Sequence, residues 1–216
     1  MKSGFRTYRS WLAILALLAP PALVAPSRPA AALPASGGDT VREFYAVLLG
    51  TMKNARSLGE SGRYARLAPV IRQTFDLPLM TQMAVGPAWS SLSADQRQQL
   101  IRAFGRYMSA VYADRFDHYA GEQLRVISER PAASGLVVNS EIVRADGTPV
   151  SIDYLMRRHG GSWQIADVYL NGTISTLATH RSEFAGILEK SGVLGLIAAL
   201  NRKADRIAAP GPGNPS

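Results

Sequence analysis

Residues 151–170 read SIDYLMRRHGGSWQIADVYL. Two extended runs flank His159-Gly160-Gly161, so the stretch predicts a β-hairpin. In the first arm Ile152, Tyr154 and Met156 share one face, and Ser151, Asp153 and Arg157 share the other. The second arm is apolar on both faces except for one acid, Asp167, set among Trp163, Ile165, Val168 and Leu170. A half-buried hairpin that keeps a lone carboxylate uses it either as a base in an apolar pocket or as a buried structural anchor.

Outward from that hairpin the same period of two recurs. EQLRVISER (122–130) and GLVVNSEIVR (135–144) precede TPVSIDYLMRR (148–158) and SWQIADVYL (162–170), joined by short turns, one holding Asp146-Gly147. Four sequential strands predict an antiparallel meander. Upstream the period is helical. Residues 39–56 align Val41, Phe44, Tyr45, Leu48, Leu49 and Met52, with Asp39 as cap, and a break at LGESG leads to a helix bearing Tyr64, Leu67 and Ile71. FDLPLM restarts a helix with Asp76 as cap and Pro78 in the first turn. Ser93 to Gln96 has the form of a capping box, opening a long helix with Leu100, Phe104, Tyr107, Met108, Val111, Tyr112 and Tyr119. Two helices follow the strands, one with Leu177, Phe184, Ile187 and Leu188, the next with Leu194, Ile197 and Leu200. The layout predicts an α+β fold: a four-stranded antiparallel meander packed against flanking helices around an apolar cavity.

Composition bounds the function. The chain has 216 residues, 47% of them hydrophobic, enough for one substantial core. Residues 1–32 combine Lys2, Arg6 and Arg9, the apolar run WLAILALLAPPALV and an A-x-A site at Ala30-Ala31-Ala32, and so predict a signal peptide for export to the periplasm. The run is shorter than the roughly 20 apolar residues of a membrane span, and Pro20-Pro21 interrupts it. Residues 33–205 then form a single domain, soluble once exported, and 206–216 a disordered tail. Removing 1–32 takes four of the 24 basic residues and none of the 16 acids, leaving +4, too mild and too scattered for nucleic acid. No cysteine is present, which excludes disulfides and thiolate chemistry. His118, His159 and His180 lack ligand spacing, so no metal is expected. Nothing calls for a cofactor.

The ordered set FDLPLM…GPAW, SADQRQQLIRAF…YMSAVYADRFDHY, GTPVSIDYLM, SWQIADV and HRSEFAGIL resembles the MlaC-like, toluene-tolerance family from about residue 40 to 203. The order and spacing carry the resemblance; W-x-I-x-D-V alone is common. It implies a periplasmic carrier, not an enzyme, that holds lipid in an apolar cavity and shuttles it between an inner-membrane ABC transporter and an outer-membrane complex. One departure stands out. Members commonly show Gly-x-Ser after the last strand, whereas here Thr173-Ile174 separate Gly172 from Ser175. LNGTIS…RSEF is similar to the branch associated with hopanoid biosynthesis, which makes a rigid triterpenoid an alternative cargo to phospholipid.

A carrier needs apolar wall and no reactive constellation. The expected lining is Ile152, Tyr154 and Met156 on the third strand, Val138 and Ile142 on the second, Trp163 and Ile165 on the fourth, and Met80, Met83, Phe104, Met108 and Val111 on the helices. Thioethers suit an adaptable pocket. The same stripes also suit an ordinary closed core. The rival class is an enzyme of ketosteroid-isomerase-like pocket with Asp167 as general base; Asp153 lies on the neighbouring strand, but parity puts it on the polar face. A protein-binding adaptor with a closed core is the third class. The family pattern keeps Asp167 and Arg181 in register, which implies a buried pair tying the last strand to the helix after it. The chain is expected to be a monomer.

Overall fold

The structure, a computed structural model, describes residues 36–208. The expected signal peptide and residues 209–216 lie outside the described residues; Arg206 to Ala208, the first part of the expected tail, continue the last helix.

Helix α1 spans Gly37–Lys53 and buries Val41, Phe44, Tyr45, Leu48 and Met52. Its cap is Ser36, not Asp39. The Ser36 hydroxyl oxygen accepts from the Asp39 N–H at 3.0 Å, and Asp39 in the first turn pairs with Arg42 at 2.7 Å. A short side chain just outside the helix reaches an orphan N–H that a residue one turn inside cannot. Leu49, expected on the buried stripe, is only half-buried. Helix α2 (Ala55–Thr74) is one element with a non-helical link at Gly59 (φ 60°, ψ −174°), where LGESG predicts the break; only glycine takes that backbone cheaply. Helix α3 (Leu77–Val85) starts at Asp76, whose Oδ1 accepts from the Leu79 N–H at 3.1 Å. A 3-10 turn, Gly86–Ser91, leads to α4 (Ala94–Arg115). Both bonds of its capping box form: the Gln96 N–H donates to Ser93 Oγ at 3.2 Å and the Ser93 N–H to Gln96 Oε1 at 2.9 Å.

The strands are β1 (Gln123–Ala132), β2 (Gly135–Val143), β3 (Pro149–His159), β4 (Ser162–Leu170) and β5 (Ile174–Ser175), antiparallel and in sequence order. The sheet therefore has five strands, not four. Asn171, at φ 52°, and Gly172 turn the chain back so that Ser175 pairs with Tyr169 and Ile174 with Leu170. A two-residue strand is too short to leave a period in the sequence.

A bulge in β4 explains its apolar run. Leu155 pairs with Asp167 but Met156 with Ile165, so Ala166 is an extra residue. Before the bulge Ile165 is on the face of Met156; after it Val168 and Leu170 are on the face of Tyr154 and Ile152. Side-chain parity switches once, and Asp167 goes to the opposite face.

The core forms where α1–α4 cover the sheet. Phe44, Phe75, Phe104, Met80, Met156, Val138 and Ile165 are fully enclosed there, and each side chain of this size contributes about 1.5–3 kcal/mol of transfer free energy. A polar contact deep between α1 and the sheet is satisfied: Tyr45 donates to Ser140 Oγ at 2.7 Å, and Ser140 donates to the Ile152 carbonyl at 2.6 Å.

The two expected C-terminal helices are two arms of one element, α5 (Thr176–Ala208), meeting at Gly192 (φ 62°, ψ −170°). Leu177 and Phe184 are buried on the first arm. On the second, Leu196, Leu200 and Ala204 face inward at i, i+4, i+8, whereas Leu194 is 66% exposed. The break at Gly192 resets the helical phase, so the expected stripe through Leu194 is rotated.

Candidate functional site

A cavity of about 240 Å³ lies between α4, the first arm of α5 and the sheet. Helix α4 contributes Tyr107, Met108, Val111, Tyr112 and Arg115, residues that i, i+4 spacing stacks on one face. Ile142, Ile152, Tyr154, Val168 and Leu170 form the sheet wall, which Ile174 of β5 and Phe116 at the end of α4 extend. From α5 come Thr176, Thr179, His180 and Glu183. The walls are mainly apolar; their polar groups are the phenols of Tyr107, Tyr112 and Tyr154, the α5 residues and Arg115.

Five of the expected lining residues border this space: Met108, Val111, Ile142, Ile152 and Tyr154. Met80, Phe104, Val138, Met156 and Ile165 sit instead in the closed core, each fully enclosed. Met83 is 47% exposed, because α3 turns Met80 and Ala84 inward and Met83 away. Trp163 is half-buried beneath the Arg158 guanidinium, 4.9 Å from its ring centroid. The α5 lining went unread in the sequence, although Thr176, Thr179, His180 and Glu183 follow i, i+3, i+4, i+7 and so mark a polar helical stripe.

Burial pushes the phenols of Tyr112 and Tyr154 upward, and burial likewise raises Tyr107, with the Glu183 carboxylate adding to it. His180 is packed by Phe104 and Tyr107 edge-on at 5.6 and 5.7 Å, and stacks on Phe184 at 5.6 Å. Burial pulls its pKa down, opposed by Glu183, whose Oε2 is 3.7 Å from His180 Nδ1. That Nδ1 has no hydrogen-bond partner. Glu183 is also approached by Lys203 at 3.9 Å, and the Lys203 ammonium lies 5.5 Å from the Tyr107 ring centroid.

Asp167 does not line the cavity. It is 6% exposed, and it closes the start of α5: Oδ1 accepts from the Val168 N–H at 2.7 Å and the Leu177 N–H at 3.2 Å, while Oδ2 accepts from the Ser175 hydroxyl at 2.6 Å. Ser175 Oγ in turn accepts from the Ala178 N–H at 2.9 Å. Carboxylate and hydroxyl together satisfy two first-turn donors, Leu177 and Ala178, with the negative charge at the positive end of the helix dipole. The expected pair with Arg181 is not formed among the described residues. Arg181 is exposed and lies beside Gly86, where an added Cβ would sit 3.1 Å from its Nε. The first-turn N–H groups reach the carboxylate before a guanidinium a turn further along can. Asp153, half-buried, is on the same face of the sheet as Asp167, away from Ile152 and Tyr154. Neither acid is placed for catalysis in this cavity.

Among the described residues no group of three or more His, Cys, Asp or Glu side chains is placed to hold a metal ion, and no helix is long and apolar enough to cross a membrane.

Comparison with known proteins agrees with this architecture. The family model described as MlaC protein matches residues 43–202. The intermembrane phospholipid transport system binding protein MlaC of Haemophilus influenzae is 27% identical over 127 residues, covering 56% of this chain and 59% of that protein. The chain thus matches less than two thirds of that curated relative's length. A solved structure, the phospholipid-binding protein of Ralstonia solanacearum in complex with a phospholipid, superposes with a TM-score of 0.70 at 25% identity, covering 81% of this chain and 99% of that one. With most of its length matched by the family model, the chain belongs to the MlaC protein family.

Proposed function

We propose that this protein is a periplasmic phospholipid carrier that holds the apolar part of its cargo in the cavity between α4, α5 and the sheet. The observation that carries the reading is the cavity itself: mainly apolar walls from three elements, with phenols whose ionisation burial disfavours. The bound phospholipid of the Ralstonia solanacearum structure and the transport role of the Haemophilus influenzae relative support it. The signal-peptide pattern in residues 1–32 supports export, and the donor and acceptor of the lipid are then an inner-membrane transporter and an outer-membrane complex. A hopanoid is the alternative cargo, supported by the LNGTIS…RSEF pattern. A monomer suffices, because the cavity is built from one chain.

At about 240 Å³ the cavity is smaller than the roughly 300–1,000 Å³ of sites that enclose drug-sized ligands. A whole two-chain lipid exceeds it, so the carrier admits part of a lipid or its walls move apart. The test is native mass spectrometry of the protein purified from its own host, followed by organic extraction. Stoichiometric phospholipid in the extract is the expected result and a hopanoid would change the cargo; a purely apo mass with a lipid-free extract would overturn the carrier.

A further inference from the structure

Glu183 faces two spaces. On one side it lines the apolar cavity, and on the other it lines an open groove in the crook of α5, where the two arms meet at Gly192. Gly186, Gly195 and Ala199 lack the bulk to fill that groove. Lys190 from the first arm and Arg202 from the second stand on its walls. Among the described residues neither forms an ion pair. The acid at the junction, Glu183, is matched by Lys203 at 3.9 Å and faces His180 at 3.7 Å on the cavity side. The groove therefore presents two cations outside any ion pair, and it shares Glu183 with a cavity too small for a whole lipid.

We infer that this groove receives the net-negative head of the carried lipid, with Lys190 and Arg202 on its phosphate oxygens, while the chain passes beside Glu183 into the cavity. The proposal rests on the carrier reading. A guanidinium and an ammonium supply forked and point-charge donors to a phosphate, and they lie on opposite arms of α5, so one head bridges both. The groove is open to water, which limits each contact to a small gain and makes it sensitive to salt. Head recognition here sets preference among lipids, and the apolar cavity sets whether a lipid binds at all. Arg115, at the opposite end of the α4 lining, is a single cation with no second one beside it in the cavity wall, and it adds to the attraction without forming a site.

The experiment loads the delipidated full chain from vesicles of phosphatidylglycerol, of phosphatidylcholine and of their equal mixture, and reads bound lipid by native mass spectrometry. From the mixture, wild type is expected to take phosphatidylglycerol over phosphatidylcholine by about three- to tenfold, the effect of two exposed charge contacts, and the preference shrinks at high salt. Lys190→Glu with Arg202→Glu should abolish or reverse the preference while total lipid per chain stays the same. A melt establishes that this variant is folded, and Lys190→Gln with Arg202→Gln serves if it is not. Equal uptake of both lipids by wild type, or an unchanged preference in the variants, overturns the groove as a head site and leaves the carrier standing. No uptake from any vesicle overturns the carrier and this inference with it. A further arm adds inorganic phosphate: if it displaces the head preference as effectively as the acidic lipid itself, the groove is a free-phosphate site and the proposal fails.

Discussion

The two halves of the helix–sheet interface use the same residue types to different ends. Beneath α1 and α3, the side chains of Phe44, Phe75, Met80, Met156 and Ile165 are fully enclosed, and Phe44 meets Phe75 edge-on at 5.4 Å. Beneath α4 and the first arm of α5, Met108, Val111, Ile152 and Tyr154 border a void. Tyr112 lies at the boundary, 5.6 Å from both Phe44 and Phe75 on one side and lining the cavity on the other. A large apolar side chain is thus core or wall according to what stands opposite it, and composition does not distinguish the two.

The largest expected effect breaks the closed half. Met156→Ala should cost about 2–5 kcal/mol in a urea melt, since the truncation leaves a hole among packed neighbours. Met108→Ala, which enlarges a space already present, should cost clearly less. Equal losses at the two methionines would erase the distinction between the halves.

Next comes the anchor of β4. Asp167→Ala removes acceptors for two backbone N–H groups and the Ser175 hydroxyl, and about 1–3 kcal/mol of stability should be lost. A double-mutant cycle should show coupling between Asp167 and Ser175 and none between Asp167 and Arg181. Measurable coupling to Arg181 would restore the pair that the sequence suggests. Asp167→Asn should leave lipid occupancy per folded chain unchanged, because the carboxylate is outside the cavity.

Overpacking sharpens the contrast in the opposite sense. Ile152→Trp or Met108→Trp should fill the void and reduce lipid uptake with a modest change in melting temperature. Val138→Trp, in the closed half, should cost about 1–3 kcal/mol. A large stability loss for Ile152→Trp with unchanged lipid occupancy would turn the cavity wall into core.

The smallest effect is a pH dependence. Burial lowers the pKa of folded His180 below its unfolded value of about 6.5. Between those two values the unfolded chain binds the extra proton, so stability declines as pH falls from about 6.5 and levels off below the folded pKa. One proton limits the slope to about 1.4 kcal/mol per pH unit. His118 works in the opposite direction, because its hydrogen bond to Asp117 raises its pKa. His180→Phe should flatten the acid limb of a melting-temperature profile. An unchanged profile would mean that His180 is open to water, and the cavity with it.

Much of the architecture was legible because its causes are local. The Ser93–Gln96 capping box and the Asp76 cap form as written, since each joins residues only three positions apart in the chain. Gly59, within LGESG, marks a break for the same reason. Ser36 escaped because Asp39 is an equally good cap in composition and only the helix start distinguishes them. The polar stripe of Thr176, Thr179, His180 and Glu183 is present in the sequence at helical spacing, but which face of α5 meets the sheet is not.

By itself the sequence determined the order of the helices and the four long strands, the antiparallel meander and the inward face of β3, because hydrophobic period and turn chemistry act within a few residues. The tertiary structure alone decided the rest. The extra residue Ala166 flips the parity of β4 and sends Asp167 to the start of α5, and β5 exists only because Ser175 comes back beside Tyr169. Whether Met108 lines a cavity and Met80 a core depends on the distance between α4, α5 and the sheet. That distance is set by side chains far apart in the chain, and no period in one segment records it.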